Sequence, residues 1–383
     1  MQNKLHILIL TSSYPALAED LRSIAGIFVR DFAHELAKRV KVTVLTQKTA
    51  SEPAIVCEDR VKVVRFPNAG LDRPLSTLRL PQDMGLVISV LVSGVRNALK
   101  FVRQNNVHFV FALWAVPSGI WALPLKWKFD LPFAIWSLGS DIWDYGRKPI
   151  FKYMVRFVLR QAKVRFADGI KLKGDVEALS GEKCQFLPIT RRLPQSTSAK
   201  PCIIPGKRNY LFIGRYHLNK GPDILIEAIA LLPPEIKGQV HFHLFGGGPL
   251  EESLKREIKK KSLTDVVNLN SYIDESSAAA YLRACDALII PSRIESIPVV
   301  LSDALQSCCP LIVSDVGDIG DLMRRYKAGQ AVQPESPEEL KEAILRDVAL
   351  GSDKYKDGLR RLHKLLDLRT SVAIFLENVN MAL

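Results

Sequence analysis

Several protein classes are excluded by what this sequence lacks. Its six cysteines, Cys57, Cys184, Cys202, Cys285, Cys308 and Cys309, form no CxxC pair. That argues against a zinc site or a disulfide framework and predicts buried free thiols in a reducing compartment. No uninterrupted apolar run reaches the roughly 18 to 20 residues that a membrane-crossing helix needs. The nearest, Met84 to Val95, meets Arg96, so no bilayer span is expected. Met1 to Leu10 carries one lysine and runs into Thr11–Pro15 without a small-residue cleavage site, which predicts a first strand over Lys4–Leu10 rather than a signal peptide. Low-complexity tracts are absent, as are a cluster of metal ligands and a recognisable nucleic-acid module, and nearly half the residues are hydrophobic. A folded protein that binds neither a metal nor nucleic acid is expected.

Acidic residues are short in one half only. Residues 1–195 hold 29 Lys and Arg against 16 Asp and Glu, while residues 196–383 hold 24 of each, so the whole net charge of +13 belongs to the first half. A chain of 383 residues is also too long for one ordinary core, and two domains are expected.

The pattern of the chain bears that out as an expectation. Short β-branched runs alternate with segments of helical period: LHILIL, a helix over Ile27–Lys38, KVTVLT, VKVVRF, a helix over Leu86–Val102, VHFVFAL, Pro117–Lys128, PFAIWS, Pro149–Lys163, VRFA and CQFLP. This is the rhythm of βαβ units on a parallel sheet. Residues 1–192 are expected to form the first domain. The proline- and serine-rich stretch 193–207 reads as a linker. The rhythm restarts at NYLFIGR and continues through HFHLFG, VVNLN, DALIIPS and PLIVSD, giving a second domain over 208–365. A last helical segment, 366–383, is expected to pack back across the domains. The fold class is α/β with two doubly wound Rossmann-like domains.

In such sheets ligands bind outside the carboxyl ends of the strands, so the loops there are the first candidates for chemistry. After YLFI come Gly214 and Arg215, then Lys220 and Gly221. A guanidinium fork, a mobile ammonium and a glycine at a helix start suit a diphosphate; the plainer alternative is two exposed bases beside a helix cap. After DALIIPS, Glu295 and Asp303 stand eight positions apart, with Ser296, Ile297 and Pro298 opening a helix whose one face both carboxylates can share. Such carboxylates accept the O–H donors of a polyol, although a capping Glu and a solvated Asp would look the same. Gly246, Gly247, Gly248 and Pro249 follow HFHLF but complete no GxGxxG with a ribose-binding acid.

Together, GRYHLNKG (214–221), FGGGPLEESL (245–254), ACDALIIPSRIESIPVVLSDAL (284–305), PLIVSDVGDIGDL and, in the first half, SSYPALAEDLRSIAGIFVRDFAHELAKR resemble the retaining nucleotide-sugar-dependent glycosyltransferases of the GT-B fold, glycosyltransferase family 4. The resemblance covers essentially the whole chain. It implies two domains facing each other across a cleft, and transfer of a sugar from a nucleotide-diphosphate sugar with retention of configuration. It implies that Arg215, Lys220 and Glu295 carry the chemistry: the two cations neutralise the donor diphosphate and Glu295 faces the donor sugar. Gly26, Gly214, Gly247, Ser296, Ile297 and Pro298 are implied to line the donor, with Asp303 at the nucleotide ribose. Asp141 and Ser140 are implied on the acceptor or sugar side. No metal and no cofactor are expected, the nucleotide sugar being a co-substrate. The chain departs from the pattern at Asp303, where the family usually has Glu, at Leu113 and Leu138, where it often has His, and at Ala25–Gly26, where it has two glycines.

The basic half points toward the acceptor. Residues 147–165 interleave seven cations with apolar side chains, and with Trp121, Trp127, Trp136 and Trp143 nearby they predict a peripheral contact with an anionic membrane. A lipid-linked, glycan or small-molecule acceptor is expected, at a cytoplasmic location on the inner face of the cell membrane. Two other readings stay open at this point: a GT-B-like nucleotide-sugar epimerase, and a non-catalytic sugar-nucleotide-binding protein of the same fold.

Overall fold

The computed structural model describes residues 5–15, 26–48, 53–67, 82–146 and 149–383. The chain divides into two compact units, Met1–Pro188 with Leu368–Leu383, and Ile189–Asp367. In the first unit the chain runs through β1 (His6–Leu10), α1 (Ile27–Ala37), β2 (Lys41–Gln47), β3 (Ile55–Glu58), β4 (Val61–Phe66), α2 (Met84–Gln104), β5 (Phe109–Leu113), α3 (Ile120–Phe129), β6 (Phe133–Ser137), α4 (Pro149–Gln161), β7 (Val164–Ala167), α5 (Ile170–Ser180) and β8 (Gln185–Phe186). The sheet order is β3-β4-β2-β1-β5-β6-β7-β8, parallel except where β3 pairs antiparallel with β4. Strands β1, β5 and β6 are buried along their whole length, as central parallel strands covered on both faces must be.

The second unit contains β9 (Arg208–Ile213), α6 (Pro222–Ala230), α7 (Pro234–Lys237), β10 (Val240–Phe245), α8 (Glu251–Lys260), β11 (Val267–Asn270), α9 (Glu275–Ala284), β12 (Ala287–Ile290), α10 (Val299–Gln306), β13 (Leu311–Ser314), α11 (Ile319–Tyr326), β14 (Gly329–Val332), α12 (Pro337–Leu350) and α13 (Lys356–Leu365). Its sheet is wholly parallel in the order β11-β10-β9-β12-β13-β14. Counted along the chain this is 3-2-1-4-5-6, so the order reverses between β9 and β12. That reversal opens a crevice at the carboxyl ends of those two strands.

The final helix, α14 (Leu368–Ala382), belongs to the first unit. Its Phe375 ring lies 4.4 Å from that of Phe111, with Phe32 and Phe166 also in contact. The Ser371 hydroxyl donates to the Pro188 carbonyl at 3.3 Å.

Several expectations need correction. Residues 193–207 have neither helix nor strand but are bonded onto the second unit, through Cys202 N–H to the Tyr281 hydroxyl at 3.1 Å and Arg283 to the Pro194 carbonyl at 3.0 Å. All six cysteines are free, but only Cys184, Cys285 and Cys309 are buried; Cys57 and Cys202 are exposed. Of the tryptophans named with the basic helix, Trp121 and Trp136 are core residues, and Trp127 is exposed. Arg165 does not extend that helix. It lies in β7, buried, with its guanidinium donating to the carbonyls of Leu159, Ala162 and Lys183. Arg147, Lys148 and Ala25 lie outside the described residues, as do residues 16–25 of the first-half segment. Finally, α2 is long and apolar enough by composition to cross a membrane, against expectation. It joins β4 to β5 within one sheet, where a helix must lie along the sheet face.

Candidate functional site

Three loops meet at the carboxyl ends of β9, β10 and β12, and backbone hydrogen bonds hold them together. Tyr216 N–H donates to the Gly247 carbonyl and Leu250 N–H to the Tyr216 carbonyl, both at 3.0 Å, tying the loop after β9 to the glycine loop after β10. Tyr216 is wholly buried, and its hydroxyl donates to the Asn270 carbonyl at 2.6 Å. Arg293 N–H donates to the Asn219 carbonyl at 2.8 Å, tying the loop after β9 to the loop after β12. The Arg293 side chain strengthens that junction: it grips Asp223 through two bonds of 2.9 and 2.7 Å, Glu335 at 2.7 Å and the Leu218 carbonyl at 2.7 Å. A fork with this many charge-assisted bonds is a rigid clamp.

The clamp fixes the short turn Leu218–Lys220 and with it the first candidate cation. Gly221 ends that turn and caps α6 at φ 65°, with the Pro291 carbonyl where a Cβ would stand. Only glycine fits both the left-handed conformation and the close approach. The result is that Lys220 Nζ donates to Glu295 Oε1 across the β9–β12 reversal, between residues 75 apart in sequence. The Ser292 hydroxyl donates to the same oxygen at 3.3 Å. Arg215 stands exposed in the same loop as Lys220, at the end of β9. Gly214, also expected here, follows β9 with its N–H on the Phe245 carbonyl, and Gly247 is buried beside the Tyr272 ring.

The second carboxylate behaves differently from its sequence expectation. Helix α10 begins at Val299, with Pro298 at its cap, so Glu295 lies four residues ahead of the helix and shares no helical face with Asp303. Ser296, Ile297 and Pro298 are buried and form the irregular descent into the helix rather than its first turn. Asp303 is fully buried, and its carboxylate accepts three bonds of 2.6 to 3.0 Å from the Arg191 guanidinium. As placed, it offers no surface to a ribose. Arg191 carries no mark in the sequence that would identify it as this partner.

In the first unit, Asp141 is likewise fully buried. Its Oδ2 accepts the Ala115 N–H at 2.9 Å and its Oδ1 the Leu138 N–H at 3.2 Å. It thereby ties the turn after β5 to the turn after β6 and presents no free carboxylate to an acceptor. Burial pushes its pKa up to about 6, against the backbone donors that favour the anion. Ser140 beside it is exposed. Gly26 caps α1 at φ 88°, against the backbone of Ser13 and Tyr14. Leu113 is buried at the end of β5. Among the described residues no three His, Cys, Asp or Glu side chains gather as metal ligands.

Residues 196–357 match the family model "Glycosyl transferases group 1". The matched span includes Arg215, Lys220, Glu295 and Asp303, and excludes Gly26, Ser140 and Asp141. An uncharacterized glycosyltransferase of Methanocaldococcus jannaschii is 24% identical over 260 residues, 67% of this chain and 70% of that protein. Among solved structures, a sucrose-phosphate synthase of Thermosynechococcus elongatus superposes with a TM-score of 0.77 at 17% identity, covering 99% of each chain. Anabaena HepE in complex with UDP-glucose gives a TM-score of 0.71 at 16% identity, covering 98% of this chain and 100% of that one. The α/β architecture with two parallel-sheet Rossmann-like domains is therefore that of GT-B glycosyltransferases.

Proposed function

We propose that this protein transfers a glycosyl group from a nucleotide-diphosphate sugar to an acceptor hydroxyl, with retention of anomeric configuration. The observation that carries the reading is the meeting of Lys220 and Glu295 at the β9–β12 reversal, with Arg215 exposed in the same loop. An ammonium has three protons. Lys220 donates one to Glu295, and in this reading the others go to phosphate oxygens. Arg215 and Lys220 together supply the positive charge that a leaving diphosphate requires, and in this reading no divalent ion is needed. In this reading Glu295, held by Lys220 and Ser292, accepts a hydrogen bond from a hydroxyl of the donor sugar.

In the reaction the bond from the anomeric carbon to the diphosphate oxygen breaks. A bond to the acceptor oxygen forms on the same face, and the acceptor proton passes to the departing phosphate. The protein's work is positioning and charge stabilisation. The Arg191–Asp303 pair fixes α10, the helix that follows the Glu295 loop. A UDP-hexose is the first donor to try, given the UDP-glucose held by the HepE neighbour. Lys220→Ala and Glu295→Ala should each lower kcat/KM on the order of 10²- to 10³-fold, with the anomeric configuration of the product read by NMR. Unchanged transfer in either variant would sink the proposal. An epimer formed without acceptor would replace it with an isomerase.

A further inference from the structure

The helical layer formed by α2, α3 and α4 in the first unit has an outer surface of unusual composition. These helices of 21, 10 and 13 residues contain eight Lys and Arg and no Asp or Glu. They are neighbours. Gly94 of α2 lies directly against the Trp121 ring of α3, and Trp127 of α3 meets Phe157 of α4 with ring centroids 6.3 Å apart.

The faces they turn to solvent are apolar as well as basic. On α2, Met84, Ile88 and Val92 are all exposed at spacings of four, which places them in one stripe. Arg96 and Lys100 continue that stripe and are exposed too. Only 28% of the most apolar window of this helix is buried, where a core helix would be mostly buried. On α3, Trp127 is 61% exposed, and on α4 Tyr153 is 71% and Phe157 47% exposed. Lys152, Arg156 and Arg160 are exposed around them. Exposed aliphatic and aromatic side chains gathered among cations mark an interaction site, not an ordinary solvated surface.

We propose that the α2–α3–α4 face docks on a bilayer surface containing anionic lipid. Charge complementarity selects the occupant. A face that exposes Arg96, Lys100, Lys152, Arg156 and Arg160, on helices without an acid, repels a second copy of itself. A polyanion in water, such as nucleic acid or an acidic glycan, would use the cations but leave Ile88, Val92, Trp127 and Phe157 in solvent. Lipid headgroups over acyl chains satisfy both at once. Topology adds a direction. A crossover helix runs antiparallel to its strands, so the apolar N-terminal half of α2 lies toward the carboxyl edge of the first sheet, where a doubly wound domain receives its ligands. This docking is independent of the donor reading, because it is measured without nucleotide sugar.

The test is co-sedimentation of the full chain with vesicles of phosphatidylcholine alone or phosphatidylcholine and phosphatidylglycerol in equal parts. Binding is expected to the mixed vesicles only, with a blue shift of tryptophan emission that Trp127→Phe removes. Arg156→Glu with Arg160→Glu, and separately Ile88→Ser with Phe157→Ser, should each weaken binding at least about tenfold while the thermal unfolding curve stays in place. Lys259→Glu with Lys260→Glu makes the same charge change on the second unit and should leave binding intact. Equal loss in that control, no preference for the anionic vesicles, or equal binding to soluble dextran sulfate that ignores Ile88→Ser with Phe157→Ser would overturn the proposal.

Discussion

Arg191 and Asp303 form an ion pair with almost no solvent around it: the carboxylate is 1% and the guanidinium 10% exposed. Such a pair is costly to assemble and more costly to break, because removing one partner strands the other charge in a poor solvent. Arg191→Met is therefore expected to destabilise the second unit by about 3 to 5 kcal/mol, measured as a shift in urea midpoint, and Arg191→Met with Asp303→Leu should recover most of that loss. A loss in the double variant as large as in the single would show that the pair does more than satisfy itself. Asp141 makes a different prediction, in pH. Its carboxyl has an ordinary value of 3.8 and is raised to about 6 by burial, so between these values the folded protein holds a proton that the unfolded chain has released. Its contribution is full below about pH 4 and is lost as pH rises through 6, since stability falls with pH wherever the native state binds more protons. Asp141→Asn keeps one acceptor oxygen and cannot ionise. The difference in urea midpoint between parent and variant should shrink by the equivalent of a few kcal/mol from pH 4 to 7, and a constant difference would contradict the assignment.

The elements themselves differ in how plainly the sequence announces them. The second-unit site was legible because its parts are local: Gly214, Arg215 and Lys220 follow one apolar strand, and Glu295 follows another. What the sequence could not convey was long-range pairing. The Arg191–Asp303 bond spans 112 residues, and the Arg293 clamp reaches 70 back to Asp223 and 42 forward to Glu335, with no periodicity to reveal either. Helix α5 was missed because Gly174 interrupts it and apolar and charged residues alternate along IKLKGDVEALS, which blurs a helical stripe. Strand β14, GQAV, is four residues with a glycine, too short to stand out. The apolar run of α2 was legible, but not which part of it is exposed, since that depends on how closely it meets α3. Gly94 sets that approach: a Cβ there would fall on the Trp121 ring. Alanine favours an isolated helix by about 1 kcal/mol over glycine, so a purely local account predicts that Gly94→Ala stabilises. The packing predicts the reverse, a net loss of about 1 to 3 kcal/mol by thermal or urea unfolding, because the bulky core ring has nowhere to go.

At the scale of the whole molecule, the chain crosses from one unit to the other and returns, so its last helix is part of its first core. Phe375 is wholly buried among Phe32, Phe111 and Phe166, although more than 200 residues separate it from each of them. All five tryptophans, Trp114, Trp121, Trp127, Trp136 and Trp143, also lie in the first unit. Tryptophan fluorescence therefore reports the first unit alone, while far-UV circular dichroism reports both. Phe375→Ala empties an aromatic site next to the Phe111–Trp136 stack and should cost about 3 to 5 kcal/mol. That loss should be seen in the fluorescence transition, even though the substitution is eight residues from Leu383. Arg191→Met lies in the second unit and should shift the circular dichroism curve while leaving the fluorescence midpoint near that of the parent. If Phe375→Ala left fluorescence unmoved and displaced only circular dichroism, the last helix would have to be reassigned to the second unit. If both variants moved both signals together, the two cores would unfold as one cooperative body.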